Sequence, residues 1–166
     1  MKVEGIVVKV GDHIDTDVII PGRYLGITDP VELGKHALEG LDPSFPAKLK
    51  PGVILVAGRN FGCGSSREEA PVALKAAGVR CIVAKSFARI FYRNAINVGL
   101  PIVECSDIQS YVKDGDKISV DLSSGTIEAA GVEFKFKPLP DFILRILEAG
   151  GLTNYIRRLR GLPIEV

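Results

Sequence analysis

An apolar run, a glycine-rich loop, a helix-forming stretch and a second apolar run follow one another between residues 53 and 84, and this order constrains the fold more than anything else in the chain. Val53–Ala57 is short, continuous and β-branched, as expected of a strand buried on both faces. Glu68–Ala77 has helical composition, and Gly78 is its C-terminal stop. Pro71 falls in the first turns and predicts an irregular start. Arg80–Ala84 is the next strand. Strand, helix and strand in this order make a βαβ unit with a right-handed crossover. The same order follows again. Ser86 is placed to cap a second helix, Phe87, Ile90 and Phe91 share its inner face, Asn97-Val98-Gly99 ends it, and Leu100–Val103 is a third strand. Two successive crossovers predict a small parallel sheet.

The loop itself reads Gly58-Arg59-Asn60-Phe61-Gly62-Cys63-Gly64-Ser65-Ser66-Arg67. Its glycines allow close approach of the backbone to a ligand. Ser66 and Glu69 have the spacing of a capping box, which puts the helix start here. A helix start offers free N–H groups and a partial positive charge. Arg67 adds a forked, permanent cation. The hydroxyls of Ser65 and Ser66, the open backbone at Gly64 and this guanidinium converge where a carboxylate or phosphate would fit. Known glycine loops do not match: a Walker loop needs a lysine, a dinucleotide fingerprint needs glycine where Arg67 stands, and neither serine has a nucleophile-elbow frame. Taken alone, the loop is equally a glycine-rich turn or an anion site.

The flanks are simpler. Val3–Val10 reads as a first strand, with Val3, Ile6, Val8 and Val10 apolar. Asp12–Ile20 reads as a polar loop turning apolar, and Arg23–Thr28 as an exposed or mobile connection after the Pro21-Gly22 turn. Asp29 and Pro30 cap and start a short helix over Val31–Ala37. Gly40–Gly52, with three prolines, is irregular. Lys117–Leu122, Thr126–Ala130 and Val132–Phe136 form a short antiparallel β-meander. Pro140–Ala149 is a helix with Phe142, Ile143, Ile146 and Leu147 inward, and Leu152–Leu159 is a last helix. Residues 1–166 are expected to form a single domain.

A formal net charge of +1 gives no bulk electrostatic case for nucleic acid or for a membrane surface. No apolar run reaches transmembrane length, and the alternating Met1–Gly5 start is not that of a signal peptide. Three cysteines without a framework, Cys63, Cys81 and Cys105, point to a reducing, cytoplasmic setting. No Cys-x-x-Cys pair exists, so the chain by itself is expected to hold no iron–sulfur cluster and no metal. His13 and His36 are isolated and lack ligand spacing. Asp15 and Asp17 are turn residues or a carboxylate pair, depending on whether the segment is extended.

Phe61-Gly62-Cys63-Gly64-Ser65-Ser66-Arg67-Glu68 closely resembles the serine loop of the aconitase superfamily. Gly11-Asp12-His13-Ile14-Asp15-Thr16-Asp17-Val18-Ile19-Ile20-Pro21, followed by Tyr24-Leu25, resembles its N-terminal motif. Ala84–Asn94 resembles its third motif. The three occur in family order across roughly residues 1–105. The length resembles that of a separate small subunit, of the kind found in 3-isopropylmalate dehydratase and homoaconitase.

The resemblance implies an α/β swivelling β/β/α domain that closes over a large subunit bearing a [4Fe–4S] cluster. It implies a hydro-lyase that isomerises a 2-hydroxy acid by dehydration and rehydration, active only with that partner. Ser65 is implied as the base, Asp17 as an active-site acid, and Arg67, with Ser66 and Gly64, as the substrate-carboxylate clamp. Residues 23–27 (Arg23, Tyr24, Leu25, Gly26, Ile27) correspond to a loop over the substrate's variable group. Homoaconitase-like loops carry arginine just after Tyr-Leu, whereas Gly26 and apolar Ile27 stand here. An unpaired carboxylate would be costly against such a loop. The expectation is therefore isopropylmalate and leucine biosynthesis, with homoaconitase or dual specificity as the alternative because Arg23 is close. Self-association of the isolated subunit stays open. Outside this class, a stand-alone anion-binding module remains the rival, and the missing phosphate lysine counts against it.

Overall fold

The structure, a computed structural model, describes residues 1–165. Its strands are β1 (Lys2–Lys9), β2 (Val53–Ala57), β3 (Val79–Ala84), β4 (Ile102–Glu104), β5 (Lys117–Asp121), β6 (Thr126–Ala129) and β7 (Val132–Lys135). The helices are α1 (Thr16–Ile19), α2 (Pro30–Gly34), α3 (Glu69–Ala76), α4 (Arg89–Asn97), α5 (Asp141–Glu148) and α6 (Leu152–Leu159). All seven strands join one sheet in the order β4-β3-β2-β1-β5-β6-β7.

The parallel half is the one the βαβ order demanded. β2, β3 and β4 run parallel in neighbouring positions, with Val56 opposite Val83 and Val83 opposite Val103. Every residue of β2 is buried, which explains a run with no alternation. Burying a side chain such as Ile54 or Leu55 stabilises by about 1.5–3 kcal/mol relative to exposure. The antiparallel meander is not a separate body. β1 pairs parallel with β2 on one edge and antiparallel with β5 on the other, so one strand joins the two halves.

Helix phases depart from expectation in two places. Phe87 precedes α4 rather than lying on it, so the buried face is set by Phe91, Ala95 and Ile96. Ile90, a third of a turn from Phe91, is left 54% exposed. In α5 the inward residues are Leu144, Ile146 and Leu147, while Phe142 in the first turn faces out. The 12–20 stretch is also more ordered than a loop: α1 occupies Thr16–Ile19, capped by Asp15, whose Oδ1 accepts from the Val18 amide at 2.8 Å.

Candidate active site

Three loops leave the carboxyl ends of β1, β2 and β3, where parallel sheets place their sites. Backbone hydrogen bonds zip them together. The Gly58 amide donates to Gly11 O, His13 N to Arg59 O, Gly62 N to Ile14 O at 2.7 Å, and Thr16 N to Cys63 O at 2.9 Å. On the other side Phe61 N donates to Ser86 O and Ala88 N to Phe61 O. Phe61 sits edge-on against Phe87 and Phe91, which anchors the loop in the core. The three sequence motifs are thus one rigid constellation.

Gly62 and Gly64 are the glycines this arrangement requires. Their φ values of +83 and +91 lie in the left-handed region. A Cβ on Gly62 would also collide with the Phe91 ring. The chain therefore turns sharply and presents Ser65 and Ser66, both exposed, over a hollow of about 220 Å³ lined by Thr16, Arg67, Arg89 and Asn94 among others. Thr16, itself buried, donates its hydroxyl to the Ser65 carbonyl at 2.7 Å and fixes the loop tip. Sequence reasoning passed over Thr16; the available signal was an Asp-Thr pair ahead of an apolar run, a helix-start pattern.

Ser66 does not cap α3. The helix begins at Glu69 with Glu68 at the N-cap position, and no side chain caps it. The zipped loop and the Gly64 turn decide where Ser66 points, and they override the local capping pattern. Ser86 likewise does not cap α4; its hydroxyl accepts from the Asn60 amide at 2.8 Å.

Arg67 is turned toward the N-terminal motif. Its Nη1 donates to Asp17 Oδ1 and to the Ile20 carbonyl, both at 2.9 Å. Asp17 Oδ1 also accepts from the Gly22 amide at 3.1 Å. The Arg67 hydrogen bond first, and the Gly22 amide second, hold the Asp17 carboxyl below its usual range. Asp17 therefore stays ionised and orients the guanidinium. Asp15 is only a cap, so the two carboxylates do not act as a pair.

The 23–27 segment starts beside this ion pair and is ordered. Gly22–Tyr24 is a 3-10 turn. Arg23 Nη2 contacts Glu39 Oε1 at 3.1 Å, and Tyr24 donates its hydroxyl to the same oxygen. His36 stacks on Tyr24 at 3.7 Å between ring centroids and pairs with Glu39 Oε2 at 2.6 Å. His36 is thus a packed histidine, and Arg23 has an internal partner. Leu25 and Ile27 are half-buried against the core, while Gly26 has open space around it.

The cysteines do not converge. Cys81 and Cys105 are buried, and burial pushes the Cys81 thiol up to about 12. Among the described residues no group of three or more His, Cys, Asp or Glu side chains could hold a metal. The donor set does not fit an iron–sulfur cluster, and among the described residues no helix is long and apolar enough to cross a membrane.

Comparison with known proteins gives consistent results. The family description "Aconitase C-terminal domain" matches residues 39–107. The 3-isopropylmalate dehydratase small subunit 1 of Methanopyrus kandleri is 60% identical, the match covering 89% of this chain and 88% of the relative. The isopropylmalate/citramalate isomerase small subunit of Methanocaldococcus jannaschii is 53% identical, covering 94% of each. A crystal structure of 3-isopropylmalate dehydratase from M. jannaschii superposes with a TM-score of 0.90 at 47% identity, covering 96% of both chains.

Proposed function

We propose a function from a plain premise: the chain belongs to the family of 3-isopropylmalate dehydratase small subunits. It is one part of a hydro-lyase that interconverts 2- and 3-isopropylmalate by removing and restoring water, as a step of leucine biosynthesis in the cytoplasm. The observation that carries this reading is that Ser65 and Arg67 line one hollow, with Asp17 hydrogen-bonded to Arg67, where three loops are zipped together by backbone hydrogen bonds. Ser65 is the base that takes the proton from substrate carbon. The residue is exposed and its backbone carbonyl is held by the Thr16 hydroxyl, so the loop tip that carries the side chain is fixed. A serine needs activation for this role, and the nearby guanidinium favours the alkoxide electrostatically. Arg67 binds a substrate carboxylate through the edge not occupied by Asp17, which orients it. Ser66 and the Gly64 backbone line the same carboxylate position.

The whole chain acts as one swivelling unit that closes over a large subunit. The [4Fe–4S] cluster expected of the superfamily is assigned to that partner, and its chemistry lies outside this chain. Isopropylmalate is the favoured substrate. Arg23 is engaged by Glu39, which offsets part of its charge, and Gly26 offers no side chain to an additional carboxylate. The citramalate in the name of the M. jannaschii relative supports a second reading, in which a shorter alkyl group is also accepted. The test is reconstitution with the cognate large subunit and assay on isopropylmalate, citramalate and homocitrate. Turnover of isopropylmalate with the highest kcat/KM is expected; a preference for homocitrate would overturn the assignment.

A further inference from the structure

Arg89 lines the same hollow as Ser65 and Arg67 and also borders a neighbouring cavity with Glu104, yet among the described residues it makes no ion pair. It is the first residue of α4, where the helix dipole disfavours a cation. The first turn of α4 carries no acid to compensate. Among the described residues, the ion pairs are Arg23–Glu39, Lys35–Glu32, Arg67–Asp17 and Arg157–Glu165, and none includes Arg89. Neither Glu68 nor Glu69 pairs with it. The side chain is exposed, so packing does not explain it either.

The state of Arg67 sharpens the point. One of its nitrogens already serves Asp17 and the Ile20 carbonyl, and Asp17 offsets part of its charge. A 2-hydroxy dicarboxylate brings two negative groups to the hollow. Arg67 can take one through its remaining edge. The other needs a second donor, and the unpaired guanidinium on the rim is Arg89, with the Asn94 amide on the same wall.

We propose that Arg89 is a second substrate-binding residue, whose guanidinium takes a carboxylate of the 2-hydroxy dicarboxylate held over Ser65. The proposal rests on the functional reading above. Arg93, one turn further along α4, lies outside the hollow, on a groove with Phe142 and Ile146 that Arg89 also borders; only Arg89 reaches the hollow.

Steady-state kinetics of the parent, Arg89→Gln, Arg89→Lys and Arg93→Gln test it, each assembled with the same large subunit and the complex checked by size exclusion. Arg89→Gln should raise KM for isopropylmalate ten- to a hundredfold with a smaller change in kcat and unaltered association. Arg89→Lys should recover part of the loss, since charge is kept but the planar fork is not. Arg93→Gln should stay within twofold of the parent. A KM for Arg89→Gln within twofold of the parent overturns the proposal. So does weakened association with a parental KM at saturating small subunit, which would make Arg89 a contact of the large subunit. If the parent pair turns over none of the di- and tricarboxylates, the functional reading fails and this one with it; an active parent with an unaltered Arg89→Gln overturns this one alone.

Discussion

Arg67 and Asp17 form a joint whose parts respond differently to substitution and to acid. Arg67→Lys keeps the charge but cannot reach Asp17 and the Ile20 carbonyl while facing a ligand. A fall of at least about tenfold in kcat/KM is expected from steady-state assays of the assembled enzyme, the scale of one lost charged hydrogen bond. The Asp17 carboxyl is held low in the folded protein, so its contribution to stability is complete above its unfolded pKa of about 3.9 and is lost as pH falls through the lowered value. In Asp17→Asn that loss cannot occur. The difference in Tm between parent and variant should therefore shrink as pH drops from 5 toward 2; a constant difference would mean the carboxylate is not tied in solution. The two serines should separate cleanly. Ser65→Ala is expected to abolish turnover without loss of assembly. Ser66→Ala should change stability by no more than about 0.5 kcal/mol in chemical denaturation, because Ser66 caps nothing. A Cβ added at Gly26 would meet nothing within 4 Å, so Gly26→Arg should fold normally. It should move preference from isopropylmalate toward homocitrate by about ten- to a hundredfold in relative kcat/KM.

At the scale of elements, the serine loop depends on the aromatic wedge beneath it. Gly62→Ala places a Cβ both in a left-handed backbone position and against the buried Phe91 ring. Strain and overpacking together should destabilise by at least about 2 kcal/mol in urea unfolding. A neutral result would show that the loop can leave α4 without cost. Apart from α1, helix positions are legible in the sequence, but helix phases are not. Phe87 was counted with Ile90 and Phe91 as one face, yet the Phe61–Phe87 bridge delays the start of α4 and turns Ile90 to the surface. The Ser66–Glu69 pattern failed for the same reason. Capping is worth about 1 kcal/mol, and several backbone hydrogen bonds between loops outweigh it.

For the molecule as a whole, β1 is the decisive piece. It carries the N-terminal motif to the serine loop and joins the parallel half to the meander. The isolated chain should contain no stoichiometric iron or sulfide and show no turnover, because its cysteines lie apart and two are buried. Metal analysis of the purified subunit checks this, and cluster iron in the chain alone would defeat the division of labour proposed between subunits.

The sequence by itself determined the order of elements apart from α1, the βαβ crossovers and the meander, because apolar period and glycine placement act locally, while the three motifs rest on family resemblance. It also carried Ser65, Arg67 and Asp17 as residues of interest. Only the tertiary structure decided that Thr16 holds the serine loop, that Asp17 occupies part of Arg67, that Glu39 holds Arg23 beside the His36–Tyr24 stack, and that Arg89 stands unpaired on the rim. The first two are contacts between loops far apart in the chain. Local propensity carries no information on such contacts, since they form only when the sheet brings the carboxyl ends of β1, β2 and β3 side by side.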